Sequence, residues 1–347
     1  MKAGLARGLG LGAIAIVIGL PVGAGQTPAP ASLEVPARTV PVPNTVSPEM
    51  RAIISAPLSP SWNVVPKSAD EWKSMSAPSA GRGLPALRGR FGVTSESVTV
   101  NGVQAYMVTP QVIPPENRNR LLVHVHGGCY VLSGGEAATT EAIYMAGFGH
   151  FKVLSVDYRR PPEFPYPAAL DDAVAVWKGA LKMAQPKNMA IFGTSAGGAL
   201  TLSMILRAKQ EALPMPGAIA PGTPMSDLTG KGDSFNTNFM VDNVLVGIGR
   251  CDAMAEYYAH GHDLKDPMLS PIYGDMHGFP PTILTTGTRD LLLSSTVRVH
   301  RKLRQAGVEA QLHVFEGQSH AQYNRDTPEG KEAFEEIARF FDKHLGK

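Results

Sequence analysis

A serine, a carboxylate and an imidazole, far apart along the chain, carry the clearest chemical signal in this sequence. Ser195 stands at the centre of Gly193-Thr194-Ser195-Ala196-Gly197, directly after the apolar run Met189 to Phe192 and directly before a helix-forming run that starts at Ala196. A strand, a tight G-x-S-x-G turn and a helix together expose a serine hydroxyl on a strained backbone and aim a helix N-terminus at any negative charge that develops beside it. A serine hydroxyl is too weak an acid to react unaided, so a base must take its proton and a carboxylate must fix the tautomer of that base. In such enzymes the order along the chain is serine, acid, histidine. Asp290, in Thr286-Gly287-Thr288-Arg289-Asp290-Leu291, directly follows an apolar strand candidate, and His320 lies in the turn Gly317-Gln318-Ser319-His320-Ala321 after the last one. Asp227, Asp242 and Asp263 lie in a segment expected to cover the site, and His313 and His344 fall within a strand and near the terminus, so none of these is the preferred partner.

Acyl transfer at a serine also needs amide donors for a tetrahedral oxyanion. His126-Gly127-Gly128-Cys129 follows the apolar strand candidate Leu121 to Val125, where the second set of donors belongs, and the N–H of Ala196 completes the hole. Backbone groups of Gly127, Gly128, Cys129 and Ala196 are therefore the expected oxyanion contacts. His124 and His126 alternate as strand residues do and are assigned structural hydrogen-bonding roles rather than metal ligation. His260 and His262 lack a third ligand nearby and read as surface residues.

These residues need a scaffold. Beyond Gly92 the chain alternates short apolar strands with helical stretches, the pattern of a mostly parallel α/β sheet covered on both faces. Eight strands are expected, at Glu96 to Val100, Val103 to Val108, Leu121 to His126, Lys152 to Asp157, Met189 to Phe192, Ala218 to Ala220, Thr282 to Thr286 and Gln311 to Phe315. The first two should form a hairpin around Asn101-Gly102. Helices are expected over Glu136 to Ala146, Ala168 to Met183, Ala196 to Ala212, Ser295 to Ala306 and Gly330 to His344. Pro48 to about Ala86 gives broken helical stretches with Trp62 and Trp72, the first part of a cap. Pro221 to Pro271 interrupts the alternation with one amphipathic stretch, Arg250 to Tyr258, and would lie over the carboxyl ends of the strands where ligands bind.

Composition narrows the function. The 347 residues are 44% hydrophobic and 18% charged, enough apolar material for a large core. A net charge of +2 with scattered basic residues gives no footprint for nucleic acid. Lys2 and Arg7, an apolar run of about twelve residues from Leu9 to Leu20, and Val22-Gly23-Ala24 have the layout of a secretory signal peptide; the run is well short of the roughly 20 residues a membrane span needs. Export to the periplasm or the medium, without stable membrane insertion after cleavage, is the expectation, with an uncleaved anchor as the alternative. The chain then divides into a signal peptide (1–24), a linker and N-terminal cap segment (25–90), a first core part (91–220), a second cap segment (221–271) and a second core part (272–347). Because Cys129 sits inside the glycine motif, a bridge to Cys251 is expected to obstruct the site and so not to form.

With HGGCY, GTSAGG, GTRDLLL and GQSHAQ in this order, the sequence resembles the hormone-sensitive-lipase family of bacterial esterases, the GTSAG branch of family IV in the α/β-hydrolase fold 3 group. Asp157 to Glu163 (DYRRPPE) and Pro165 to Asp172 (PYPAALDD) are similar to further stretches of that family, and the likeness runs from about residue 90 to the end. The resemblance implies a helical cap, ester substrates with short or medium acyl chains and no metal or organic cofactor. It maps the oxyanion donors to Gly128, Cys129 and Ala196 and the triad to Ser195, Asp290 and His320. Cys129 departs from the family's third glycine, and its Cβ should restrict the backbone, narrow the acyl side of the site and offer a target to thiol reagents. A serine carboxylesterase is the resulting expectation; a lactone hydrolase using the same triad and a non-catalytic small-molecule-binding module of the same fold are the alternatives, and a homodimer is possible.

Overall fold

The computed structural model describes residues 32–247 and 249–346, so the expected signal peptide and the start of the linker lie outside the described residues. Residues 32–40 belong to a unit of their own and form neither helix nor strand. From Pro41 onward the chain builds one sheet of eight strands: β1 (Val93–Val100), β2 (Val103–Pro110), β3 (Leu121–Val125), β4 (Lys152–Val156), β5 (Met189–Thr194), β6 (Ala218–Gly222), β7 (Thr282–Gly287) and β8 (Ala310–Phe315), in the order β1-β2-β4-β3-β5-β6-β7-β8. The pairs β1–β2 and β2–β4 are antiparallel and every other pair is parallel. Val100 faces Val103 across a two-residue turn in which Asn101 (φ 50°) and Gly102 (φ 84°) both occupy the left-handed region, as a type I′ hairpin demands.

The central strands are apolar throughout because both their faces are covered. In β3, Leu121, Val123 and Val125 point into one core while Leu122 points into the other; in β5, Met189 and Ile191 oppose Ala190 and Phe192. Helices α5 (Ala168–Ala180), α6 (Ala196–Gln210) and α9 (Leu293–Gln305) supply the first core, and α3 (Leu84–Phe91), α4 (Thr140–Gly149) and α10 (Pro328–His344) the second. All eight expected strands and all five expected helices are present. The helix expected from Glu136 begins later: Gly135–Thr139 is a 3₁₀ turn, where the Gly135 N–H donates to the Asp157 carboxylate and the Thr139 hydroxyl to the Glu136 carbonyl. These side-chain bonds offer the backbone an alternative to the α-helical ladder.

Short elements lie outside the sheet layers. The helices α1 (Pro48–Ile54) and α2 (Ala69–Ser76) precede the core, and α7 (Ser234–Thr237) and α8 (Arg250–Ala259) come from the irregular stretch between β6 and β7. Trp72 of α2 stacks on Tyr257 of α8, with ring centroids 4.2 Å apart, which joins the segment before β1 to the segment between β6 and β7.

Backbone packs closely where β5 turns into α6. A Cβ added at Gly193 or at Gly197 would collide with the Val125 carbonyl oxygen at the end of β3. Neither backbone can retreat, because β3 pairs with β5 and α6 is buried along almost its whole length. Gly197→Ala is therefore expected to destabilise the protein by about 1–3 kcal/mol or more through overpacking; a thermal denaturation midpoint equal to that of the parent would contradict this.

Candidate active site

The turn between β5 and α6 holds Ser195 at φ 64°, ψ −122°, a conformation that a residue with a side chain rarely adopts. Surrounding hydrogen bonds impose it. The Ser195 N–H donates to the Gly222 carbonyl at 3.0 Å, and the Ser195 carbonyl accepts from the N–H of Met225 and of Ala199, both at 3.0 Å. The neighbouring strand β6 and the first turn of α6 thus grip the residue from two sides, and its side chain faces a cavity of about 440 Å³.

The loop after β3 lies beside it. A Cβ at Gly127 would come within 2.7 Å of the Thr194 carbonyl and 3.3 Å of Ser195 Cβ, so this loop runs directly against the serine. Gly128 lies at φ 111° and its carbonyl accepts from the N–H of both Val131 and Leu132. Cys129 (φ 51°) and Tyr130 (φ 64°) follow in the left-handed region, which glycine enters most readily. The N–H groups of Gly127, Gly128, Cys129 and Ala196 have no acceptor among the described residues, and all four residues lie at or beside the cavity. His126 braces the loop: Nδ1 lies 2.7 Å from the Gly127 carbonyl, and the ring stacks on Tyr158, whose hydroxyl donates to the His126 carbonyl. Burial first, and then the Arg160 charge, hold this imidazole well below its ordinary pKa, so it is neutral.

His320 lines the same cavity, and its ring meets Asp290. Asp290 is fully buried at the end of β7; its Oδ1 accepts from the Leu292 N–H at 2.8 Å and lies 3.1 Å from His320 Nδ1, while its Oδ2 accepts from the hydroxyls of Thr286 and Thr223. Burial works to raise the carboxyl pKa, but the imidazole charge and these hydrogen bonds outweigh it and keep Asp290 ionised. On His320, burial works to lower the pKa, and the charge and hydrogen bond of Asp290, with the charge of Asp242, prevail and raise it above 6.5. The structure thus brings Asp290 against His320 and places Ser195 and His320 on one cavity; no hydrogen bond joins the Ser195 hydroxyl to the imidazole among the described residues. Such contacts are commonly loose without substrate.

Sequence reasoning passed over Asp242, grouping it with the acids of the cover. Its buried carboxylate accepts four backbone N–H groups: those of Val244 and Leu245 on Oδ1, and those of Leu291 and His320 on Oδ2. One side chain therefore fixes the residue after Asp290 and the backbone of His320 together. Burial and then the neighbouring Asp290 charge raise its pKa. Asn243 extends the link, donating through its side-chain amide to the Ile53, Ile54 and Ala56 carbonyls and accepting from Gln322. Behind the serine, Glu141 accepts from the Thr194 hydroxyl at 2.6 Å and pairs with His124, whose other nitrogen lies 2.9 Å from the Ser155 hydroxyl. The hydrogen-bonding roles expected of His124 and His126 are the ones they have.

A family model described as the α/β-hydrolase fold matches residues 122–324, from β3 to just past the His320 turn. The chain belongs to the α/β-hydrolase family. Within it, the hormone-sensitive-lipase group is its place: a crystal structure of an esterase is 41% identical and superposes with a TM-score of 0.85 over 90% of this chain and 99% of that one. A crystallised esterase from the bacterial hormone-sensitive lipase family is 26% identical, with a TM-score of 0.71 over 86% of this chain and 99% of its own. An esterase of Acinetobacter venetianus is 33% identical over 228 residues, 64% of this chain and 74% of the relative, and an acetyl-hydrolase of Streptomyces hygroscopicus is 28% identical over 262 residues, 75% and 86% respectively.

One expectation about this α/β-hydrolase is overturned. Cys129 and Cys251 form a disulfide, with Cα atoms 5.6 Å apart. The bridge does not obstruct the site because α8 starts beside the glycine loop, so the sulfurs form part of the cavity wall rather than crossing it. Cys129 consequently offers no thiol to reagents. Closing a loop across 122 residues is worth about 4–5 kcal/mol in chain-entropy terms, and it also ties the left-handed Cys129 to the cover. Intact-mass measurement under non-reducing conditions should find no alkylatable thiol in the folded protein, and Cys251→Ser should lower the thermal midpoint; free thiols in the oxidised, folded enzyme would contradict the pairing.

Proposed function

We propose that this protein is a serine carboxylesterase that hydrolyses carboxylic esters with short to medium acyl chains through an acyl-enzyme at Ser195. That it is a carboxylic ester hydrolase rests on its family and its esterase relatives. The serine mechanism rests chiefly on one observation: a buried Asp290–His320 hydrogen bond beside a cavity that is also lined by a strained Ser195 between two sets of uncommitted amides.

In this reading Ser195 Oγ attacks the ester carbonyl while His320 Nε2 takes its proton. Asp290 holds Nδ1–H and stabilises the imidazolium, and the N–H groups of Gly128, Cys129 and Ala196 receive the oxyanion. The alcohol leaves with the proton from His320. Water then attacks the acyl-serine with the same imidazole as base, releasing the acid and restoring the hydroxyl. The cavity of about 440 Å³, walled by Leu132, Met254 and the disulfide, suits an acyl chain of modest length.

Ser195→Ala should fold normally and lose at least about a thousandfold in kcat/KM on p-nitrophenyl butyrate, along with all labelling by a fluorophosphonate probe; unchanged turnover would reject the assignment. The pH profile supplies a second test. His320 must be unprotonated to accept a proton, so activity is lost as pH falls through its pKa. Because Asp290 and Asp242 raise that pKa above 6.5, the acid limb of kcat/KM should have its midpoint above 6.5. Asp242→Asn removes one of the raising charges and should move the limb to lower pH, and an unmoved limb would show that Asp242 does not act on the base.

A further inference from the structure

Three charged side chains line the cavity: Glu141, Arg250 and Arg325. Glu141 has no free oxygen to offer, since one accepts from Thr194 and the other is paired with His124. Arg325 is exposed at the rim. Arg250, the first residue of α8, is half-buried and makes one side-chain hydrogen bond, from Nη1 to the Ser61 hydroxyl at 3.3 Å. Its Nε is enclosed without an acceptor, and no carboxylate among the described residues forms an ion pair with it. The nearby Asp252 turns an oxygen to the Gly249 N–H instead.

A guanidinium keeps its charge at any physiological pH and presents five N–H donors in a rigid fork. Leaving the enclosed Nε–H without a partner is costly, and the guanidinium fork matches a carboxylate in two parallel hydrogen bonds. The position of this one is also fixed. Its neighbour Cys251 is bonded to Cys129, an expected oxyanion donor, so the first turn of α8 cannot drift from the reacting centre. With two guanidinium groups against one carboxylate in its lining, the cavity as a whole favours a negative substrate group.

We propose that Arg250 is a specificity-determining residue that receives a free carboxylate at the far end of the acyl chain, so that the preferred substrates are half-esters of dicarboxylic acids. The proposal rests on the ester-hydrolase reading above and refines it. Water adds across the acyl C–O bond of the half-ester, the alcohol departs, and the product is the dicarboxylate with one proton released. Ser195 and His320 act as on any ester, and Arg250 touches only the distal carboxylate.

The test compares, on the full-length enzyme at low salt, the monomethyl half-esters of succinate, glutarate and adipate with the methyl esters of butyrate, pentanoate and hexanoate, following methanol release. At one or more chain lengths the half-ester is expected to have the higher kcat/KM, mainly through KM, and raising the ionic strength should erode that advantage without affecting the neutral ester. Arg250→Gln should lower the half-ester to neutral-ester ratio by roughly tenfold, the loss expected for a charge-assisted pair. The wild-type comparison needs no variant and stands even if Arg250→Gln folds poorly. Preference for the neutral ester at every chain length, a salt-independent ratio, or an unchanged ratio in Arg250→Gln would each overturn the assignment of Arg250. Failure of the wild type to hydrolyse any of the six esters would instead overturn the hydrolase reading, and this refinement with it.

Discussion

Much of this structure depends on one close approach, the Val125 carbonyl lying against the backbone of Gly193 and Gly197. The contact is possible only without side chains at both positions. It presses the loop after β3 onto the turn before α6, and so decides how far the amides of Gly128 and Cys129 stand from that of Ala196. It also holds Ser195 in a backbone shape that costs about 1–3 kcal/mol, sustained by the hydrogen bonds to Gly222, Met225 and Ala199. The strain is affordable because β5 and α6 lie at the centre of the core, where distortion of either would disturb many packed neighbours.

The two carboxylates near His320 divide their work by environment. Asp290 meets the imidazole directly and is kept ionised by it, whereas Asp242 spends both oxygens on backbone N–H groups and reaches His320 through its main chain and its field. Two buried acids beside one base would repel each other strongly without the four amide donors on Asp242 and the two threonine hydroxyls on Asp290. The arrangement is therefore a network in which each member makes the others tolerable.

The sheet and the elements that carry the candidate site residues were legible in the sequence because each leaves a local mark. Strands buried on both faces read as short apolar runs, Asn101-Gly102 marks its hairpin, and the glycines around Ser195 report a turn that no side chain fits. Asp290 and His320 could be found because each follows a strand. Asp242, Arg250 and the disulfide have no such mark. Asp242 lies in an irregular segment where an acid is unremarkable, and only the folded chain shows four N–H groups converging on it. Cys129 and Cys251 are far apart in sequence, and the placement of α8 against the glycine loop, which makes the bond possible, comes from packing such as Trp72 on Tyr257 rather than from any local pattern. The helix expected at Glu136 started late for a related reason, since side-chain hydrogen bonds to the backbone are invisible to hydrophobic periodicity.

The Asp242–Asn243 pair works as a latch between the roof of the pocket and the loops beneath. Any swing of the roof large enough to pull these two residues away would strip acceptors from residues 291 and 320 in the same motion and release the end of α1. A displacement of that segment would therefore reach the backbone of His320 as well. Val244, which lines the cavity, donates its N–H to the same Asp242 carboxylate, so the pocket wall and the backbone of His320 share one anchor.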